Sequence, residues 1–378
     1  MFLRQSSSLA VFTLLAISFS KPAVSQPDDD LKIFGYFQNT YRQLHNTTEN
    51  ETETSFNLQQ LNIFFQKDLA ENWRSFINFE ALNSFSSSHM WGAFNLSEAW
   101  IRYQRNDQLN LKLGLLLPTF NRLNEIKNRT PLLPYIARPI AYETSFSEFI
   151  ATEDYTPERA FAQLYGLLPL DEIRLEYAIY VGNSPNINND SQKGQTGVDT
   201  TTSFLVGGRL GVRLPVVSLG FSLSRDRDNR FQQVSDFFEI LEKQPAYETP
   251  RTRLGADFSS DFDPYYLEAE IIWHKLAEKG KLDLERNFYY VTLGYIPRDN
   301  WHFYVNYAKT KDVFEINNEK VESLSFGLPS VGVAWHLNDR MVFKFQYTYV
   351  TIEAEAPTVG IEDHLKLHHV AVAASVIF

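Results

Sequence analysis

The stretch Met341-Val342-Phe343-Lys344-Phe345-Gln346-Tyr347-Thr348-Tyr349 puts an apolar or aromatic side chain at every odd position, with Lys344, Gln346 and Thr348 between them. A period of two belongs to a β-strand, whose successive side chains point to opposite faces. One face here is a row of rings and the other is polar, so the strand separates an apolar medium from a wet one. The same pattern recurs. Leu109, Leu111, Leu113 and Leu115 alternate with Asn110, Lys112 and Gly114; Ile173, Leu175, Tyr177, Ile179 and Val181 alternate with Arg174, Glu176 and Tyr180. Phe204, Val206, Leu210, Val212 and Leu214 alternate with Gly207, Arg209 and Arg213, and Trp301, Phe303, Val305 and Tyr307 with His302, Tyr304 and Asn306. Working outward, about sixteen such strands can be traced. Two are less regular: Ile33 to Gln43 shows no decisive face, and Leu324 to Leu337 changes phase near Pro329, where a bulge is expected.

The connections alternate between short and long. Short ones are Lys67 to Asn72, Arg105 to Gln108, Pro169 to Glu172, the Pro215 corner, Asp261 to Pro264, Pro297 to Asn300 and Asn338 to Arg340. Long ones are His45 to Ser55, Asn83 to Asn95, Leu117 to Pro157, Asn183 to Thr200, Arg225 to Pro250, Lys275 to Glu285, Lys309 to Glu322 and Thr351 to Asp363. Segregation of loop length by side is the mark of a transmembrane antiparallel β-barrel with tight periplasmic turns and long external loops. The expected fold is all-β, one barrel over residues 26–378.

Composition agrees. Of 378 residues 30 are Phe and 19 Tyr, yet they are dispersed singly among polar residues, which suits strands with one lipid face. The absence of cysteine excludes thiolate nucleophiles and Cys-based metal or iron–sulfur centres. A formal charge of −11 argues against nucleic acid as a partner. Residues 1–25 read as a signal peptide: Arg4, an apolar run from Leu9 to Phe19, and Ala23-Val24-Ser25 before Gln26. Its removal takes away Arg4 and Lys21 and no acid, so −11 becomes −13.

Tryptophans fall at strand ends, with Trp73, Trp301 and Trp335 near short turns and Trp273 near a long one, as amphipathic rings do at membrane interfaces. The last strand carries Val370, Val372, Ala374, Val376 and Phe378 on one face. This ending in Phe resembles the insertion signal of Gram-negative outer-membrane proteins, which implies a bacterial outer-membrane location among lipid and lipopolysaccharide.

The run Ala99-Trp100-Ile101-Arg102-Tyr103-Gln104-Arg105-Asn106-Asp107-Gln108-Leu109-Asn110-Leu111-Lys112-Leu113-Gly114-Leu115-Leu116-Leu117-Pro118-Thr119-Phe120 and the turn Lys67-Asp68-Leu69-Ala70-Glu71-Asn72-Trp73 resemble the phosphate-selective porin O/P family over some 60 residues. The resemblance implies a water-filled pore, with the third external loop, residues 117–157, folded into the lumen. From Leu109 to Tyr142 the bases are Lys112, Arg122, Lys127, Arg129 and Arg138, against one acid, Glu125. Alternation adds Arg102, Arg174, Arg209, Arg213, Arg251, Arg253, Arg286 and Lys344 to the lumen, faced by Glu98, Glu176, Asp257, Glu268 and Glu270. Such a lumen favours anions by raising their local concentration. The same bases could instead pair with those acids across neighbouring strands and form a neutral polar wall.

Chemistry is thinly represented. His364, His368 and His369 stand near Glu362 and Asp363, but adjacent strand residues point oppositely, so no metal site is expected. Ser86 to Ser88 and His89 lack the context of a triad. No cofactor and no enzymatic step are expected. The reading is a porin for small hydrophilic, anionic solutes. The alternatives are a specific channel for sugars or organic acids, with inward Trp100, Tyr165, Phe288, Tyr290 and Tyr304 as stacking surfaces, or a barrel serving adhesion or scaffolding. A homotrimer is left open. N-terminal sequencing of the exported protein should find Gln26 first; a chain retaining Met1 to Ser25 contradicts the processing signal.

Overall fold

The computed structural model describes residues 30–84, 93–127, 129–143, 159–184, 203–228, 249–277, 283–316, 319–356 and 361–378. Sixteen strands run β1 (Lys32–Asn46), β2 (Glu51–Ala70), β3 (Trp73–Ser84), β4 (Ala93–Asn106), β5 (Leu109–Leu116), β6 (Arg159–Leu170), β7 (Ile173–Gly182) and β8 (Leu205–Arg213). They continue as β9 (Val217–Asp228), β10 (Thr249–Phe262), β11 (Tyr265–Leu276), β12 (Asp283–Arg298), β13 (Trp301–Ile316), β14 (Glu319–Asn338), β15 (Met341–Ala356) and β16 (Ile361–Ile377). Each pairs antiparallel with its sequence neighbours, and β1 pairs with β16, closing the barrel. Helix among the described residues is confined to two 3-10 turns, Thr130–Leu132 and Ile140–Tyr142.

The seam is made by the chain's two ends. Gly35 and Phe378 exchange backbone hydrogen bonds of 2.9 Å in both directions. The Phe378 ring occupies the space a Cβ on residue 35 would need, so glycine is what lets the last residue lie flat on β1.

The outward face is apolar over the middle of the strands. Phe204, Phe221, Leu210 and Ile179 are each at least 60% exposed on it. Trp301 stacks on Trp335 at 5.9 Å and Trp335 on Phe343 at 5.8 Å beside the short turns, and Trp73 meets Tyr103 at 5.1 Å. The short turns shrink to two or three residues. Asn72 and Asp171, at φ 67° and 53°, take the left-handed conformation that Asn and Asp tolerate best.

Three expectations need correction. The segment 319–338 does not change phase at Pro329: Phe326, Leu328, Ser330 and Ala334 all point inward, and the register to β13 runs unbroken through Pro329. The irregularity lies near residue 323, opposite Asp312 and Val313. The apparent slip arose because Phe326 and Leu328 are apolar residues inside the lumen, where they meet the inserted loop. The first strand does have faces, with Tyr36, Gln38 and Thr40 inward and buried. Several external connections are also shorter than the sequence indicates. The first is only residues 47–50, since β1 and β2 extend beyond the membrane as a polar hairpin through Glu51-Thr52-Glu53-Thr54. Above the hydrocarbon no apolar face is required, so strand pairing there leaves no hydrophobic period to read.

Phe345 stands mid-strand on β15, 43% exposed on the outer wall. Phe345→Arg should destabilise the barrel by about 2–4 kcal/mol if the position lies near the bilayer midplane. Denaturant titration in lipid vesicles measures this, and an unchanged midpoint would place the residue outside the hydrocarbon.

Candidate functional site

The lumen is occupied by the chain that follows β5. Its first turn is held by Gln163 on β6, which accepts from Thr119 N at 3.0 Å and donates to the Thr119 hydroxyl at 2.7 Å. Asn121, at φ 51°, turns the chain across the barrel, where its backbone N–H donates to Ser222 Oγ on β9. The Leu123 N–H donates to Glu270 Oε1 at 2.6 Å, and the Tyr142 hydroxyl donates to Glu270 Oε2 at 2.5 Å. One carboxylate thus ties together two points of the loop nineteen residues apart in sequence. Burial pushes the Tyr142 and Tyr135 phenols well above the ordinary tyrosine value, so both stay hydroxyl donors; Tyr135 donates to Thr292 Oγ1 at 2.9 Å.

Apolar packing reinforces these bonds. Phe120, Leu123, Ile140, Ala141 and Tyr142 of the loop form one cluster with inward Ile272, Phe288, Tyr290, Ala308, Phe326, Leu328, Val350, Ile352 and Leu367. The inward aromatics Phe288 and Tyr290 therefore support the loop rather than face solvent: they are 0% and 2% exposed.

Farther along, the loop is fastened to the opposite wall. The Ile136 and Ala137 N–H groups donate to Gln346 Oε1 at 2.7 and 2.9 Å, and Gln346 Nε2 donates back to Ala137 O. Gln59 Nε2 donates to Ile136 O at 2.7 Å. Buried Lys344 donates to Thr130 O and Gln38 Oε1 at 2.8 Å, to Pro131 O at 3.1 Å and to Tyr135 O at 3.4 Å. An ammonium so surrounded by neutral oxygens is a clamp, not a pore charge.

The bases expected in the lumen fall into groups. Arg209 bonds Asp257 at 2.6 Å and Glu176 at 3.0 Å, and Arg213 bonds Glu176 at 2.5 Å. Arg251 and Arg253, both fully buried, share Asp226 at 2.6 and 3.1 Å. Arg286 pairs with Asp312 at 2.9 Å. Arg138 is buried, donating to Lys127 O and lying 3.6 Å from Glu143, and Lys127 is buried with it. Arg122 reaches Ser259 and lies 3.8 Å from Glu268, beside a cavity of about 450 Å³ that also meets Arg213, Asp261, Tyr266 and His302.

Arg102, Lys112 and Arg129 differ. Among the described residues no carboxylate lies within 4 Å of any of them, and Arg129 is exposed. Arg102 and Lys112 are direct partners on β4 and β5, and Arg102 is also the partner of Arg74 on β3. Arg74 escaped the reading of the sequence. Its signal was its place just inside the Glu71-Asn72 turn, on the parity of inward Phe76, Asn78 and Glu80.

Lys344→Met should take the charged donor from the Pro131 and Tyr135 carbonyls and leave Thr130 O only the Leu133 N–H, at a cost of about 1–3 kcal/mol, and loosen the loop. In a planar bilayer it should show higher open-channel noise than the unaltered chain, with the barrel still folding; identical traces would show that Gln346 and Glu270 hold the loop unaided.

No protein-family model and no curated protein matches the sequence. Solved structures do match the fold. An anion-selective porin from Comamonas acidovorans superposes with TM-score 0.61 at 11% identity, covering 92% of this chain and 99% of that one. The outer-membrane channel DcaP of Acinetobacter baumannii gives 0.61 at 9%, covering 92% and 97%. OmpT, an outer membrane protein of Vibrio cholerae, in a trimer form, gives 0.54 at 9%, covering 93% and 100%. At such identities the likeness is one of architecture: this chain has the closed sixteen-stranded barrel found in outer-membrane porins and channels.

Proposed function

We propose that the chain is an outer-membrane porin through which small hydrophilic solutes diffuse, with preference for anions and no catalytic step. The observation that carries this is the fate of the lumenal charges. Every inward Asp among Asp226, Asp257 and Asp312 is paired with arginine, whereas Arg102, Lys112 and Arg129 have no carboxylate of the described residues within 4 Å. Glu80 and Glu98 are buried and bonded by Gln60 and by Trp100 Nε1. Fixed charges in a narrow lumen are screened less than those on exposed loops, so the acidic residues of the outer hairpins weigh little on the permeating ion despite the overall −11.

In this reading residues 1–25 are the export signal, the apolar wall meets lipid and lipopolysaccharide, and the assembly is a homotrimer, as the trimer form of one structural neighbour supports. The resemblance to the phosphate-selective porin O/P family rests on the residues of the β2–β3 turn and on those of β4, β5 and the entry to the loop.

Single channels of the refolded protein should conduct in potassium chloride with a reversal potential on the anion side in a salt gradient. Neutralising Arg122, Lys127 and Arg129 together should move that potential toward cations. An unchanged potential would remove the loop from the selectivity mechanism, and absence of any conductance would end the porin reading.

A further inference from the structure

The geometry points to a discrete binding station for small dicarboxylates on the wall of β3 to β6, near the short-turn mouth of the lumen. It rests on the porin reading and adds a ligand class to it. Asp68, Arg74, Arg102, Lys112 and Gln163 form one continuous row, each registered opposite the next across five strands. Like charges directly opposite one another in a sheet are destabilising, and this row sets three cations side by side. The single acid in it, Asp68, is spent on Arg74, whose Nε donates to it at 2.6 Å. The loop acid Glu125 accepts from the Thr119 hydroxyl at 2.9 Å and lies beyond 4 Å of both Arg102 and Lys112.

Two of the cations have no carboxylate of the described residues within 4 Å beyond the row. Arg102 Nε is buried with no hydrogen-bond acceptor, and its guanidinium bonds the neutral Tyr165 hydroxyl. Lys112 Nζ sits over the rings of Trp100 at 4.7 Å and Tyr165 at 5.5 Å, which hold a cation without taking its hydrogen bonds. The arrangement is stiff. Phe76 stacks on Trp100 at 4.8 Å, and Trp100 Nε1 is fixed by Glu98 at 2.9 Å. Opposite Trp100 stands Gly114 at φ 135°, where a Cβ would run into the Ala99 carbonyl, and Trp100 packs there against the buried cluster of Leu116, Phe161, Tyr180 and Leu205.

The spacing selects the ligand. Neighbouring strands lie about 4.8 Å apart, so the cations form a line along the wall with ring faces beside it. A phosphate is a compact charge that such a line meets at one or two points. A short dicarboxylate places one carboxylate on each of two neighbouring cations and its methylene carbons against the rings, and the Arg102 fork suits a carboxylate's two oxygens.

The test compares potassium succinate with potassium phosphate as additives to chloride at constant ionic strength, read by single-channel conductance and by calorimetry on the folded protein in detergent. Succinate should reduce chloride current saturably and bind with measurable heat. Arg102→Gln with Lys112→Gln should raise the half-saturating concentration at least about tenfold, as expected for losing charge-assisted bonds, while Arg298→Gln with Arg340→Gln, exposed at the short turns, leaves it in place. A conducting channel whose succinate response is the same in both double variants overturns the station and leaves the porin reading standing. Phosphate saturating as tightly as succinate overturns the dicarboxylate assignment. A chain that neither conducts nor binds succinate overturns both readings.

Discussion

In hydrocarbon a peptide group has no water to turn to, and each unsatisfied N–H or C=O costs several kcal/mol. Everything else in this molecule follows from that. A sheet meets the requirement only when no edge is left, which is why β1 and β16 must pair and why Gly35 and Phe378 bond in both directions at the seam. Once the ladder is closed, alternation gives the outer wall to Phe, Leu and Val and frees the inner wall from any need to be apolar.

The inserted loop faces the same requirement without a ladder of its own. Its backbone groups are met one by one by wall side chains: Gln163, Ser222, Glu270, Gln346, Gln59 and Lys344. These are the residues that look most out of place as buried polar groups. The barrel also acquires a hydrophobic core of ordinary kind, but on one side only, where Phe120, Ile140 and Tyr142 pack on β11 to β16. On the other side the buried arginines answer to carboxylates. Desolvating Arg251 and Arg253 is costly, and Asp226 offsets part of that cost by bonding both. The lumen is therefore divided into an apolar seat for the loop, a neutral ion-paired wall, and a strip around Arg102 and Lys112 that is neither.

Much of this was legible in the residues. Period-two alternation marked the strands and their faces, as at Phe343 and Phe345, because a lipid face must be apolar at every second position. Turn positions were legible through Asn72 and Asp171. What could not be read follows equally physical lines. Glu51-Thr52-Glu53-Thr54 pairs as strand where no medium imposes a pattern. Phe326 and Leu328 broke the expected alternation because their partner is a segment some 200 residues away in sequence. Whether Arg209 and Arg253 were pore charges or paired ones turned on register across strands, which composition does not contain. Arg74 went unread for the same reason: only the register of β3 against β4 sets it beside Arg102.

The closed seam limits how such a protein can vary. An antiparallel ladder returns to its first strand only with an even number of strands, so adding or removing a single one would force a parallel pair at the join or leave two bare edges in lipid. The unit by which the barrel can lengthen or shorten its circumference over evolutionary time is the hairpin, and each step carries with it one external loop and one periplasmic turn. Changes of pore diameter in this architecture are therefore discrete, and graded tuning falls to the loop inside.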